Sequence, residues 1–251
     1  VWPMVDAFPY AGRADTEAAM AETKSVLIVL TSTAELGETG EQTGFWAEEF
    51  AAPYYTLADA GLDVTVASIK GGEAPMDPGS LSERGENPDA VERMLDDQNV
   101  QAALKDTASI EDVDAIDFDA VFLAGGHGTM WDFAEDTALA KRIARVWACG
   151  GAVAAVCHGP AGLVNVTVNG GAALVDGKKL TAFTDSEEET VGLTEVVPFL
   201  LERRLRELGG QFKGEADFQP HVVVDGRLVT GQNPASSSNA AARLVEVLRH
   251  G

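Results

Sequence analysis

Basic side chains are scarce in this chain. Lys and Arg number 18 against 40 Asp and Glu, giving a net charge of −22 over 251 residues. Binding to nucleic acid needs a basic footprint over the phosphates, and docking on an anionic membrane needs a basic patch, so neither partner is expected. Cysteine is almost absent: Cys149 and Cys157 are the two in the chain. They cannot make a disulfide framework, which points to a reducing compartment. No run of about 20 apolar residues exists, and the amino terminus lacks a secretory pattern, so a cytoplasmic location is expected. Internal repeats and low-complexity tracts are missing too. The carboxylates are spread along the whole chain. This fits a very soluble protein and, more sharply, one adapted to high salt, where self-repulsion is screened.

With 45% hydrophobic and 23% charged residues, the composition is that of an ordinary globular protein long enough to bury a full core. Residues 1–24 carry Trp2, Phe8 and Tyr10 among prolines and acidic residues. They read as an extension packed on one domain spanning 25–251. Val26–Leu30 is a buried-strand signal, followed by a Gly-rich acidic loop, Glu35–Gly44, and a helix from about Trp46 to Ala60 closed by Gly61. Asp63–Ile69 gives a second strand. Gly71–Pro88 reads as a long loop able to overhang a site. Val91–Leu104 is expected to be mostly helical, with Asp119–Ala124 a strand, Thr137–Trp147 a helix and Ala152–Val156 a strand. Cys149 is expected in the helix before that last strand, as a buried small apolar residue. Lys179–Phe183 reads as a strand and Glu195–Leu208 as a helix. His221–Thr230 reads as a hairpin through Asp225-Gly226, and Ser236–Leu248 as the closing helix. Strands alternating with helices predict an α/β fold, a doubly wound and mostly parallel sheet with helices on both faces.

Ligands of such sheets bind beyond the carboxyl ends of the strands. Three segments fall there: Gly125–Gly128, Cys157-His158 and Asp185–Glu189. The apolar run Ala152–Val156 stops abruptly at Cys157, and His158, Gly159 and Pro160 follow. This is the pattern of a strand that delivers a nucleophile into a tight turn, where a helix N-terminus favours a thiolate.

These motifs resemble a known family. AVCHGP at the strand end, GGHG upstream and TGQNPAS near the end are similar to the ThiJ/PfpI superfamily, with its class I glutamine-amidotransferase-like, flavodoxin-like fold. Thr43–Tyr55 (TGFWAEEFAAPYY) and Phe183–Glu189 (FTDSEEE) resemble its branch of heat-shock chaperones with glutathione-independent glyoxalase III activity. The resemblance runs from about Val26 to Leu248. It implies Cys157 as nucleophile, His158 as its partner and Glu49, four residues before Pro53, as a buried carboxyl beside the thiol. Counting from Phe183 places the carboxylate that orients His158 on Glu188, with Glu187 and Glu189 as neighbouring registers. It also implies a homodimer. Some relatives bind a metal through histidines in an inserted region, but this chain has four histidines and none between Gly71 and Leu123, so no metal site and no cofactor is carried over.

The residue chemistry fits that assignment. Glu49, buried near a thiolate, would hold its proton and serve as general acid and base. The backbone N–H groups of Gly125, Gly126 and His158 are candidates for an oxyanion hole. His127 reads as a structural or rim histidine, and His221 and His250 carry no role. Phe45, Trp46 and Trp131 could line a pocket or simply fill the core. The resulting function is the glyoxalase III-type (lyase) conversion of a small 2-oxoaldehyde, such as methylglyoxal, to a 2-hydroxy acid in stress protection. Two alternatives use the same scaffold: a cysteine hydrolase (peptidase, amidase or protein deglycase), and a holdase chaperone or redox-sensing stress protein.

Overall fold

The computed structural model describes residues 23–168 and 170–250. The expected packing of residues 1–24 therefore lies almost wholly outside the described residues. β1 (Ser25–Leu30) is followed by α1 (Ala47–Asp59), β2 (Asp63–Ser68), α2 (Asp89–Asp96), α3 (Gln98–Lys105), β3 (Ala108–Ser109) and β4 (Ala120–Leu123). Then come α4 (Thr129–Asp132), α5 (Thr137–Ala148), β5 (Ala152–Val156), and the short pairs β6 (Thr167–Val168) with β7 (Ala172–Ala173). The chain closes with β8 (Lys179–Leu180), α6 (Asp185–Thr190), α7 (Leu201–Glu207), β9 (Gln211–Phe212), β10 (Val222–Asp225), β11 (Leu228–Gly231) and α8 (Ser237–His250).

Seven strands form one sheet in the order β10-β11-β5-β4-β1-β2-β3. All pairings are parallel except the β10–β11 hairpin, as read from the sequence. β1 lies inside the sheet between β4 and β2, as its fully apolar run Val26–Leu30 requires, because such a strand must be covered on both faces. Its side chains alternate between two cores. Val26, Ile28 and Leu30 join α1, α2, α3 and α8 on one face, whereas Leu27 and Val29 join α5 and α7 on the other. The chain turns one way from β1 to β2 and crosses back to β4 on the other side, so the topological switch lies between β1 and β4. Ligand sites open at the carboxyl ends there.

Four readings from sequence need correction. The expected helix Val91–Leu104 is two helices, because the Asp97 carboxylate accepts from the Asn99 and Val100 amides and caps a fresh start. The helix expected from Glu195 begins at Leu201, since Pro198 disfavours helical backbone before it. The strand expected over Lys179–Phe183 is only Lys179–Leu180, paired with β9 in a separate ladder. Cys149 is exposed rather than buried, because α5 ends at Ala148 and leaves it at the C-cap. No helix among the described residues is long and apolar enough to cross a membrane.

Candidate active site

β5 is buried along its whole length and delivers Cys157 at φ 58°, a left-handed conformation that a non-glycine residue adopts only when its surroundings impose it. The surroundings do so from both sides: the Cys157 amide donates to the Gly231 carbonyl, and its own carbonyl accepts from the Phe183 amide, each at 2.9 Å. The elbow therefore ties the ends of β5 and β11 to the segment that leads into α6. A five-residue 3-10 turn, Gly159–Leu163, follows in place of the expected α-helix. A Cβ on Gly159 would collide with the Leu123 carbonyl, so glycine lets this turn press against β4.

His158 turns back onto the thiol, with Nδ1 3.3 Å from Cys157 Sγ. Its Nε2 lies 2.8 Å from Glu188 Oε2. Glu188 sits in the first turn of α6, whose start is fixed by a capping box between Thr184 and Glu187. That box separates the three consecutive glutamates. Glu187 is buried and accepts from Thr184, from the Phe218 amide and from the Gln232 and Asn233 side chains. Glu188 faces the histidines, and Glu189 is exposed. The carboxylate register counted from Phe183 is thus the one that meets His158.

Glu49 approaches the sulfur from the other side. The Trp46 amide at the start of α1 donates to the Gly125 carbonyl at 3.1 Å, which docks the first turn of the helix on the end of β4. The Glu49 carboxyl is fully buried, and neither oxygen has a hydrogen-bond partner of good geometry. Burial raises its pKa well above the ordinary carboxyl value. The nearby Cys157 thiol and Gly125 amide offset this only in part, so Glu49 keeps its proton to a higher pH than an ordinary carboxyl. A Cβ on Gly125 would overlap Glu49 Oε2, the Val156 carbonyl and the His158 amide. Gly126 sits at φ 106°, and a Cβ there would collide with the Gly44 carbonyl and the Trp46 amide. Glu48 is half-buried, and its charge adds to the rise at Glu49.

Burial, and then the Glu49 carboxyl, push the Cys157 thiol up. The sequence suggested a thiolate favoured by a helix N-terminus; a 3-10 turn does begin after His158, and the His158 amide lowers the thiol, but burial and the Glu49 carboxyl outweigh it. Burial, helped by the neighbouring His127, pushes His158 down to about 4, so its imidazole is neutral. Burial alone would raise Glu188, but hydrogen bonds from His127 and His158 outweigh it and hold the carboxylate at about 2. The resting cluster is therefore a thiol beside a carboxyl of raised pKa and a neutral imidazole, and the imidazole is oriented by a carboxylate.

His127 is the residue that sequence reasoning missed. Its Nε2 lies 2.9 Å from Glu188 Oε1, and its ring centre is 4.1 Å from that of His158. Only the fold brings it 61 positions along the chain to that carboxylate. Phe183 packs on the His158 ring at 4.4 Å. Phe45 is fully buried in the core, and Trp131 packs against the core on the opposite face. Among the described residues, His127, His158 and Glu188 also have the donor types of a metal site, with ligand atoms within 4.8 Å of one another. The two hydrogen bonds already account for that closeness.

The sequence profile of the DJ-1/PfpI family matches residues 41–247. The chain is 32% identical over 229 residues to glyoxalase 3 of Candida albicans, covering 88% of this chain and 96% of that protein. It is 31% identical over 235 residues to a glutathione-independent glyoxalase of Saccharomyces cerevisiae, with 90% and 99% covered. In solved structures, it matches Candida albicans glyoxalase III with a TM-score of 0.83 and 31% identity over 89% of this chain and 97% of that one. It matches the 24 kDa rapid encystment protein of Francisella tularensis with a TM-score of 0.86 and 37% identity over 90% and 99%. Drosophila melanogaster DJ-1beta, with a TM-score of 0.56 and 22% identity over 91% and 95%, shares the fold. Every residue of the buried cluster falls within the matched span, and the chain belongs to the DJ-1/PfpI family, in its branch of glutathione-independent glyoxalases.

Proposed function

We propose that this protein converts a small 2-oxoaldehyde, with methylglyoxal as the test case, to the 2-hydroxy acid without glutathione, using Cys157 as its own thiol. The observation that carries this reading is the pair of proton carriers beside one buried sulfur: Glu49 with its raised pKa against Gly125, and His158 on Glu188. An internal redox isomerisation needs a proton taken from one carbon and returned to its neighbour. Acyl transfer alone needs one base and an oxyanion hole. Burial also favours a small substrate. Cys157 is 4% exposed and His158 and Glu49 are fully buried, so a peptide chain would have to displace much of the covering structure.

The path balances as follows. His158 Nδ1 takes the thiol proton, and the sulfur adds to the aldehyde carbon. Glu49 protonates the resulting alkoxide, which leaves a hemithioacetal and a Glu49 carboxylate. That carboxylate removes the proton from the former aldehyde carbon to give an enediolate. Reprotonation of the adjacent carbon by Glu49 gives a thioester; water then adds to it, leaving its proton on Glu49, and His158 returns its proton to the departing sulfur, which releases the 2-hydroxy acid and restores the thiol, the carboxyl and the neutral imidazole. We assign the oxyanions to the amides of Gly125, Gly126 and His158. The test is lactate formation from methylglyoxal in glutathione-free buffer, at low and high KCl, for wild type and Cys157→Ala. Turnover in wild type and none in the variant supports the reading, as does deuterium at C2 of lactate formed in heavy water. A folded wild type without turnover overturns it.

A further inference from the structure

We infer that His127 is a third acid–base group of this site, the one that moves a proton between the two substrate oxygens. The inference rests on the glyoxalase reading. Glu188 is ionised and can only accept hydrogen bonds, and each of its oxygens is taken by a different imidazole: Oε1 by His127 Nε2 and Oε2 by His158 Nε2. Both rings must therefore carry a proton on Nε2, which leaves the Nδ1 lone pair of each as the working atom. For His158 that atom faces the sulfur at 3.3 Å. For His127 it has no hydrogen-bond partner among the described residues.

Position separates the two further. The His127 side chain is 13% exposed against 1% for His158 and 3% for Glu188, so His127 is the member of the cluster on the open side. Its ring lies 4.1 Å from His158 and 6.0 Å from Phe183, packed between them and the start of α4. Thr129 donates from both amide and hydroxyl to the Gly126 carbonyl, and the Met130 amide donates to the His127 carbonyl, which fixes the backbone beneath the ring. A histidine needed only to brace Glu188 would not require an open Nδ1.

The chemistry leaves a place for such a group. In the enediolate, negative charge sits on the C2 oxygen while the C1 oxygen keeps its proton. The thioester requires the reverse. His127 Nδ1 takes the C1 hydroxyl proton and delivers it to the C2 oxygen, with the transient imidazolium held by Glu188. Electrons from the C1 oxygen then form the thioester carbonyl as Glu49 protonates C2. No atom is gained or lost.

His127→Gln tests this, because the glutamine amide keeps a donor for Glu188 but has no lone pair that titrates. The expected result is a kcat about 100-fold lower with methylglyoxal and a KM within about threefold of wild type. The rate of Cys157 alkylation by iodoacetamide should stay within about threefold as well, because the sulfur, His158 and Glu188 remain in place. Turnover near that of wild type would overturn the inference and leave His127 as a brace. A joint loss of turnover and alkylation would overturn it too, by showing that the variant disturbs the sulfur. If the Gln variant does not fold, His127→Asn carries the same comparison. Absence of turnover in wild type would instead remove the glyoxalase reading itself.

Discussion

Glu187 and Glu188 are adjacent, both are buried, and they hold different parts of the molecule. Glu187 takes five hydrogen bonds from Thr184, Phe218, Gln232 and Asn233, and so joins α6 to the loops before β10 and after β11. Glu188 takes two, both from imidazoles. Glu187→Gln places an amide nitrogen among donors and leaves some of them unpaired, so a loss of roughly 2–4 kcal/mol of stability is expected. Glu188→Gln is expected to lose far less stability while kcat falls at least about 100-fold, since it no longer orients and stabilises the imidazoles. Thermal melts beside lactate assays separate the two. Equal melting temperatures for both variants would contradict this division.

Glu49 is expected to make the fold less stable at neutral pH. Its folded pKa lies above that of the unfolded chain, so the folded state binds the extra proton. Stability is then fully present below the ordinary carboxyl value of 4.5 and falls as pH rises through the interval up to the raised value, by roughly 1.4 kcal/mol per pH unit. Glu49→Gln stays neutral throughout. Its melting temperature should exceed that of wild type at pH 7, and the difference should vanish near pH 4. Turnover should fall at least about 100-fold, because the amide cannot carry the proton. A variant less stable than wild type at pH 7 would show that the fold does not raise the Glu49 pKa.

Phe218 combines two unfavourable features. Its backbone sits at φ 59°, and the residue is 41% exposed, with its ring centre 6.2 Å from that of Phe183. Left-handed backbone costs a non-glycine residue about 1–2 kcal/mol, which glycine avoids. Phe218→Gly and Phe218→Ala remove the same ring, but only the first relieves the backbone. The glycine variant should unfold at the higher denaturant midpoint, by about 1 kcal/mol when converted. Equal midpoints would mean that the left-handed conformation is not maintained in solution.

The elbow was legible because an all-apolar strand ending in Cys-His-Gly-Pro leaves few alternatives, and the glycines of GGHG marked a close approach that a Cβ would block. The glutamate register was legible as well, through a signal left unused. Thr184-Asp185-Ser186-Glu187 is a capping box, which assigns Glu187 to the helix start and frees Glu188 for the site. TGQNPAS marked the family but not its task, which is to supply Gln232 and Asn233 to Glu187. The role of His127 was not legible, because its contacts with Glu188, His158 and Phe183 all depend on the tertiary arrangement. The protonation of the sulfur was equally hidden. It depends on how deeply Cys157 and Glu49 are buried together, which one-dimensional pattern does not contain.

The excess of acid predicts a salt response. With a net charge of −22, repulsion among surface carboxylates opposes the compact state. The ion pairs Lys24–Asp119, Arg93–Asp59 and Arg243–Glu246 are largely exposed, so they contribute little against it. Molar salt shortens the screening length to about 3 Å, which weakens those pairs but relieves far more repulsion than attraction. The melting temperature should therefore rise between dilute buffer and molar KCl at pH 7. The rise should shrink toward pH 4.4, the isoelectric point given by the sequence, where the net charge falls to zero. An equal rise at both pH values would assign the effect to salt strengthening apolar burial instead. No rise at pH 7 would mean that the charge excess serves solubility alone.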